Sequence, residues 1–439
     1  MIFGRVKPID AILEGARRKP LVRSLGPLQL TMLGVGAIIG TGIFVLTAAA
    51  AQKAGPGMMW SFVIAGSVCV VTALCYAELA AMIPVSGSAY TYTYAVLGEL
   101  LAWMVGWALI LEYAVAASAV SVGWSGYFMG LMKSVTGFEL PVWMASGPGW
   151  SFPGGVPTPD FSTGVMNLPA VTMALLVAWL LVTGTTKSAR VNAVLVVVKV
   201  TALTLFIALT IPVMKGTNFE PMTPNGWFGP GSGSGLGVLG AAASIFFAYV
   251  GFDAVSTASE ETKNPQRDIP IGLIGSLAIC TVFYLLIAMG SIGAMGAQPV
   301  HLVPGDALAP GSAAFKQACT IAENVDMLVC SNEALAHVLR EIGWQRLGDM
   351  LGLVANFALP SVVLMMLFGQ ARVFFVMARD GLLRKSWPRC IPNIKRPISS
   401  PSSPACSWRP WRHSCRLASL PISRIRERCS LSSWCRYRY

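Results

Sequence analysis

The chain has 439 residues, 54% of them hydrophobic and only 12% charged, with a mean hydropathy of +0.63. Soluble domains carry about 25% charged residues, so this composition excludes a soluble enzyme or binding module and describes a chain that crosses a bilayer several times. The formal charge of +12 hints at a polyanionic partner only until it is located: the last 56 residues hold 13 Lys+Arg against one acid, and the first 383 are balanced, which leaves no surface for nucleic acid.

Residues 1–27, MIFGRVKPIDAILEGARRKPLVRSLGP, are polar and basic and lack the pattern of a cleavable signal. They are expected to form an N-terminal segment on the cytoplasmic side. The first span, about residues 29–52, is long enough to cross, since roughly 20 apolar residues match the hydrocarbon core. Its middle is poorly built for a helix: Gly34, Gly36, Gly40 and Gly42 fall within nine positions, and each glycine costs about 1 kcal/mol in a helix interior. The span is therefore expected to lose its internal bonding near Ile39–Gly42. Freed peptide groups at membrane depth persist only where they line a cavity or meet a ligand. Close helix packing is the alternative, because Gly36 and Gly40 form a G-x-x-x-G.

Further apolar runs at about 58–83, 100–132, 168–185, 191–214, 236–259, 270–296 and 347–378 bring the number of spans to eight. Arg5, Lys7, Arg17, Arg18, Lys19, Arg23, Lys187, Arg190, Lys263 and Arg267 fall on one side, against Lys53, Lys133, Lys215, Lys316, Arg340 and Arg346 on the other. Ten against six places the N-terminus inside, in a multi-pass protein of the cell (inner or plasma) membrane. Residues 133–167 and 215–235 are rich in Gly, Pro, Ser and Trp and read as irregular outer loops. Residues 84–99, with alternating Tyr and Thr, suit a short interfacial helix or strand, and a strand there lacks a partner.

Cys69, Cys75 and Cys280 sit in apolar spans and are expected to be small buried hydrophobes. Cys319 and Cys330 share a polar loop in which a disulfide could form. With no C-x-x-C, no His/Cys cluster and histidines only at His301, His337 and His413, neither a metal nor a cofactor is expected. From residue 384 the text changes to a mixture of Arg, Ser, Pro, Cys and Trp without helical period. Anionic lipid is one partner for such a tail; an out-of-frame segment standing in place of further spans explains its Cys and Trp content better.

The sixth span carries a second interruption, with Gly251 beside the ionisable Asp253 at its middle. A charge at the bilayer centre costs about 2.5–3.5 kcal/mol on the insertion scale. Two interrupted spans five helices apart are what inverted-repeat transporters require, and this pairing favours a binding site over packing alone. In the fifth span Lys199 stands alone among apolar neighbours, nine residues from Arg190; it is a candidate proton carrier, with snorkelling the alternative. Glu112 and Glu78 are intramembrane carboxylates too. Glu112 could contact a substrate or relay a proton, Glu78 reads as structural support, and either could pair with Lys199. EETKNPQRDIP, at the inner end of the sixth span, is either a gate or a solvated turn.

The runs Gly40-Thr41-Gly42-Ile43-Phe44, YVGFDAVSTASEETKNPQRDIP and FGQARVFFVMARDGLL resemble the amino acid, polyamine and organocation transporter superfamily, most closely its cationic amino acid transporter branch, over about residues 20–298 and 333–388. The resemblance implies an all-α polytopic, LeuT-like inverted-repeat fold, here truncated to about eight transmembrane helices with the first and sixth discontinuous and helices nine to twelve missing. It implies a permease for amino acids working by alternating access. The substrate site would comprise Ile38, Gly40, Thr41, Gly42, Ile43, Phe247, Val250, Gly251 and Asp253, with Ser361 a further candidate. Peptide N–H groups of Thr41, Gly42 and Ile43 would hold a carboxylate, and free carbonyls around Ile38 and Val250 an ammonium. Phe247 resembles the family's aromatic gate, where ordinary core packing is the alternative. The resemblance places the Lys199 ammonium where sodium-coupled relatives bind sodium, which makes the proton the coupling ion. The competing expectation is an inactive truncated remnant or a non-transporting partner subunit. An intramembrane enzyme lacks any Ser/His or H-E-x-x-H pattern.

Overall fold

Helices that are apolar all round, rather than along one stripe, belong in lipid or in a protein interior, and the chain is built mainly from such helices. The computed structural model describes residues 6–10, 12, 23, 25–85, 87–151, 158–161, 164–183, 188–230, 235–302, 308–321 and 323–383. The basic tail from residue 384, most of the N-terminal segment and the readings made of them lie outside these residues.

All eight expected spans are helical. The first is in pieces, α1 (Pro27–Ile38), α2 (Thr41–Phe44) and α3 (Leu46–Ala54), and a tight turn at Gly55–Gly57 leads into α4 (Met58–Met82). Next come α5 (Ser88–Val96), α6 (Glu99–Thr136), α7 (Leu168–Thr183) and α8 (Ser188–Thr210). The sixth span divides into α9 (Gly237–Tyr249) and α10 (Ala254–Thr257). The seventh is α11 (Pro265–Met295), and α12 (Ala334–Glu341) precedes the eighth, α13 (Gln345–Arg379). By length and apolarity six helices among the described residues can cross a membrane, with α1 and α7 as shorter apolar pieces. Of the two forms open to residues 84–99, the chain takes the helix, bracketed by Gly87 and Gly98 at φ +154° and +97°. The 133–167 connection is more regular than expected, because β1 (Gly149–Ser151) pairs antiparallel with β2 (Thr158–Asp160).

Two groups of helices form. The α6 helix lies along α13 with α7 beside both, while α11 packs on α1 and α4, and α4 on α9. Helix α8 joins them, touching α1, α11 and α13. The glycines of the first span serve packing as well as interruption. A Cβ at Gly34 would run into Ser276, and one at Gly42 into Ala248. Cys69 and Cys280 are buried, but Cys75 lies exposed on α4 against expectation, because a fully apolar helix does not mark which side its neighbours cover.

The face bearing the N-terminal segment is tied together. Arg372 pairs with Glu261 at 2.8 Å, donates to Thr257 O at 3.0 Å and lies 4.2 Å over the Phe368 ring. Leu25 N–H donates to Glu261 O and Leu25 O accepts from Lys263 N–H, at 3.0 and 2.9 Å. Lys7 pairs with Asp380 at 2.8 Å, and Tyr90 donates to the same carboxylate at 3.0 Å. Glu261 is thus held in an ion pair while its side chain stays partly exposed.

On the opposite face, Gln52 donates to Val300 O and Leu308 O at 3.0 and 3.2 Å and accepts from Val300 N–H at 2.9 Å. Cys319 and Cys330 form a disulfide in the same connection. Arg340 pairs with Glu333 and, at 3.0 Å, with Asp349, which also accepts from Ser134 at 2.7 Å. Burial holds the Glu333 carboxyl above its usual range despite Arg340. Removing one partner of so enclosed a pair leaves a buried charge without compensation. Arg340→Met is expected to lower stability by about 3 kcal/mol, with Glu333→Gln added to it recovering most of the loss; thermal unfolding in detergent measures both.

Candidate functional site

The first interruption opens where expected. Ile39 N–H still bonds to Val35 O, at 2.9 Å, and the next half begins with Phe44 N–H on Gly40 O at 3.4 Å. The N–H groups of Thr41, Gly42 and Ile43 therefore have no acceptor inside their own half-helix, and the positive end of its dipole points into the gap. The second interruption runs from Val250 to Asp253, after α9 ends at Tyr249. Gly251 adopts φ +113°, a conformation open to glycine, and a Cβ there would stand 3.0 Å from Ala37 O. The two gaps cross backbone against backbone, at Gly251 on Ala37 and at Gly42 on Ala248.

The carbonyls at the crossing are served by side chains from other spans. Lys199 is fully buried, and its Nζ donates to Gly36 O at 2.9 Å, Ile39 O at 3.0 Å and Ser361 Oγ at 3.4 Å. It caps the orphaned C-terminal end of α1, where a cation is also favoured by the dipole. Snorkelling is thereby ruled out for this side chain. The Tyr284 hydroxyl lies 2.9 Å from Ile38 O and 3.1 Å from Ala248 O, one on each interrupted span. The Ile38 carbonyl, expected to be free, is thus already engaged on one side, because an apolar interior leaves no freed carbonyl without a donor.

A small cavity lies at the crossing. Ile38, Gly40, Gly42, Phe247 and Val250 of the candidate residues line it, joined by Ala37 and Ala248. Ile43 is buried, and Thr41, Ile43 and Gly251 adjoin lining residues in the chain without lining the cavity themselves. The far wall comes from Ala116 and Val120 on α6 and from Val362 and Met366 on α13. No side chain in this lining is charged.

Four candidates stand elsewhere. Asp253 does not line the cavity: its turn aims it at α6, where Tyr113 donates to Oδ2 at 2.6 Å. Ser361 meets Lys199 rather than the cavity. Glu112 and Glu78 lie on exposed sides of α6 and α4, and neither pairs with Lys199, whose three acceptors are two carbonyls and a hydroxyl.

The family described as amino acid permeases matches residues 29–400. The chain is 41% identical over 396 residues to the branched-chain amino acid permease BcaP of Bacillus subtilis, covering 90% of this chain and 76% of that protein. It is 37% identical over 395 residues to the methylthioribose transporter of the same organism, covering 90% and 75%. To the chloroplastic cationic amino acid transporter 9 of Arabidopsis thaliana it is 33% identical over 375 residues, covering 85% of this chain and 58% of that one.

Sequence reasoning passed over Tyr284 and Tyr113, although each puts a hydroxyl into an apolar span and a buried hydroxyl requires a partner. The shared position of Tyr284 makes it the stricter case. Tyr284→Phe leaves two buried carbonyls without this donor and is expected to cost about 1–3 kcal/mol, seen as a lower unfolding temperature of the purified protein.

Proposed function

Since the chain belongs to the amino acid permease family, whose members are membrane transporters, we propose that its cavity carries a neutral amino acid with an aliphatic side chain, moved by alternating access and coupled to a proton through Lys199. One observation carries the choice of cargo: the cavity lies against the start of the second half of the first span, at Gly40 and Gly42, and every side chain that lines it is apolar. A carboxylate suits the half-helix start, which favours anions. A cationic side chain would find no counter-charge in such a lining, and an unpaired buried charge is costly. The relative named for branched-chain amino acids supports the reading; the one named for methylthioribose leaves the cargo to be decided by the cavity itself.

Lys199 suits coupling because its charged form fills three acceptors with three donors. The neutral amine has two donors, so losing a proton leaves one acceptor unserved and loosens the end of α1 from α8. Proton occupancy then sets how firmly α1 is held, while the ion pairs of the two faces open in turn. The N-terminal face is read as cytoplasmic in an inner or plasma membrane. Ten basic residues against six support this, as does the Cys319–Cys330 disulfide on the other face, since disulfides persist outside the reducing cytosol.

In proteoliposomes under an imposed pH gradient, leucine, isoleucine or valine should accumulate and lysine or arginine should not; the reverse order overturns the assignment. Lys199→Met should bind leucine in a thermal-shift assay yet take it up without pH dependence, and proton-driven uptake by this variant removes the lysine from the mechanism. Val120→Phe fills the far wall and should weaken leucine binding about tenfold or more, read from the same thermal shift at varied leucine concentration.

A further inference from the structure

Lysines near the end of a membrane span ordinarily run their stems out towards water. Lys53, in the last turn of α3, turns the other way: Nζ reaches Ser244 Oγ at 2.7 Å. Ser244 precedes Phe247 and Ala248, two walls of the cavity, by one helical turn and shares their side of α9. Helical side chains lean towards their own N-terminus, which for α3 is the cavity end. The backbone here is fixed. Asn225 Nδ2 donates to Lys53 O at 2.9 Å and to Gln52 O at 3.3 Å, and the Gln52 side chain is sewn to Val300 and Leu308. Ser244 directs its own hydrogen to Gly240 O at 3.4 Å, which leaves its oxygen facing the ammonium.

Lys53 is partly buried, and among the described residues no carboxylate pairs with it. A cation withdrawn from water and given only a hydroxyl lacks the anionic partner that would offset its desolvation. We propose that Lys53 and Ser244 form a receiving site for the carboxylate of the incoming amino acid, above the peptide N–H groups at Thr41–Ile43. This inference rests on the cavity being an amino acid site. The ammonium draws the carboxylate into the mouth, where the lower dielectric strengthens the attraction, and holds it by a charge-assisted hydrogen bond. The Ser244 hydroxyl can turn from Gly240 to add a second. When the carboxylate moves on to the half-helix start, Lys53 returns to Ser244, so no charge is left without a partner at either stage.

Leucine uptake by the full chain in proteoliposomes, with Lys53→Gln, Lys53→Glu, Lys53→Arg and Ser244→Ala, tests the site. Lys53→Gln is expected to raise KM about tenfold with Vmax within about twofold, Lys53→Glu to raise it further, and Lys53→Arg to stay near wild type. Raised salt should increase the wild-type KM and leave that of Lys53→Gln unchanged. Wild-type KM in both Lys53→Gln and Lys53→Glu overturns the site while leaving the transport reading standing. So does a purely structural tie, in which Lys53→Gln and Ser244→Ala lower the unfolding temperature equally and Lys53→Arg fails to rescue KM. Wild-type protein with neither leucine uptake nor a leucine-induced thermal shift overturns the transport reading, and this site with it.

Discussion

A bilayer interior supplies no water to a peptide group released from its helix, and every feature of the crossing point answers to that constraint. The two interruptions persist because other spans bring donors to them. Lys199 from α8 serves Gly36 O and Ile39 O, and Tyr284 from α11 serves Ile38 O and Ala248 O. The N–H groups at Thr41–Ile43 are the complementary half of the ledger, and an anionic ligand is the partner they suit. Binding capacity here is the remainder of an otherwise satisfied hydrogen-bond network.

This division of labour explains why the helices sort into two groups. The interrupted spans lie with α4 and α11, which brace them, and the cavity is closed by α6 and α13 from the other group. A cargo placed between the groups touches both. Each face is spanned by ties that join segments far apart in the chain, Arg372 with Glu261 on one and Gln52 with Val300 on the other.

What could be read from the residues alone depended on whether the physics was local. Crowded glycines weaken a helix wherever it lies, so the gap near Gly40–Gly42 was legible, as was the second at Gly251, the one residue of its turn suited to positive φ. Lys199 announced itself as a lone charge in an apolar run. The walls at Val120, Val362 and Met366 were not legible, because helices apolar on every side carry no periodic signal of the face that meets a cavity. The same lack hid the surroundings of Asp253, which its backbone turns towards Tyr113, and left open whether Glu112 or Glu78 meets Lys199, which neither does. Ser361 joined the lysine only through folding.

The contact of Gly42 on Ala248 leaves no room for even a methyl group, and Gly251 presses on Ala37 in the same manner. Any larger residue at either glycine would pry the crossing apart. On the proposed reading, side-chain preference would be set by the residues of α6 and α13 that face the cavity, Ala116, Val120, Val362 and Met366, apart from the crowded glycines that meet the shared amino acid backbone.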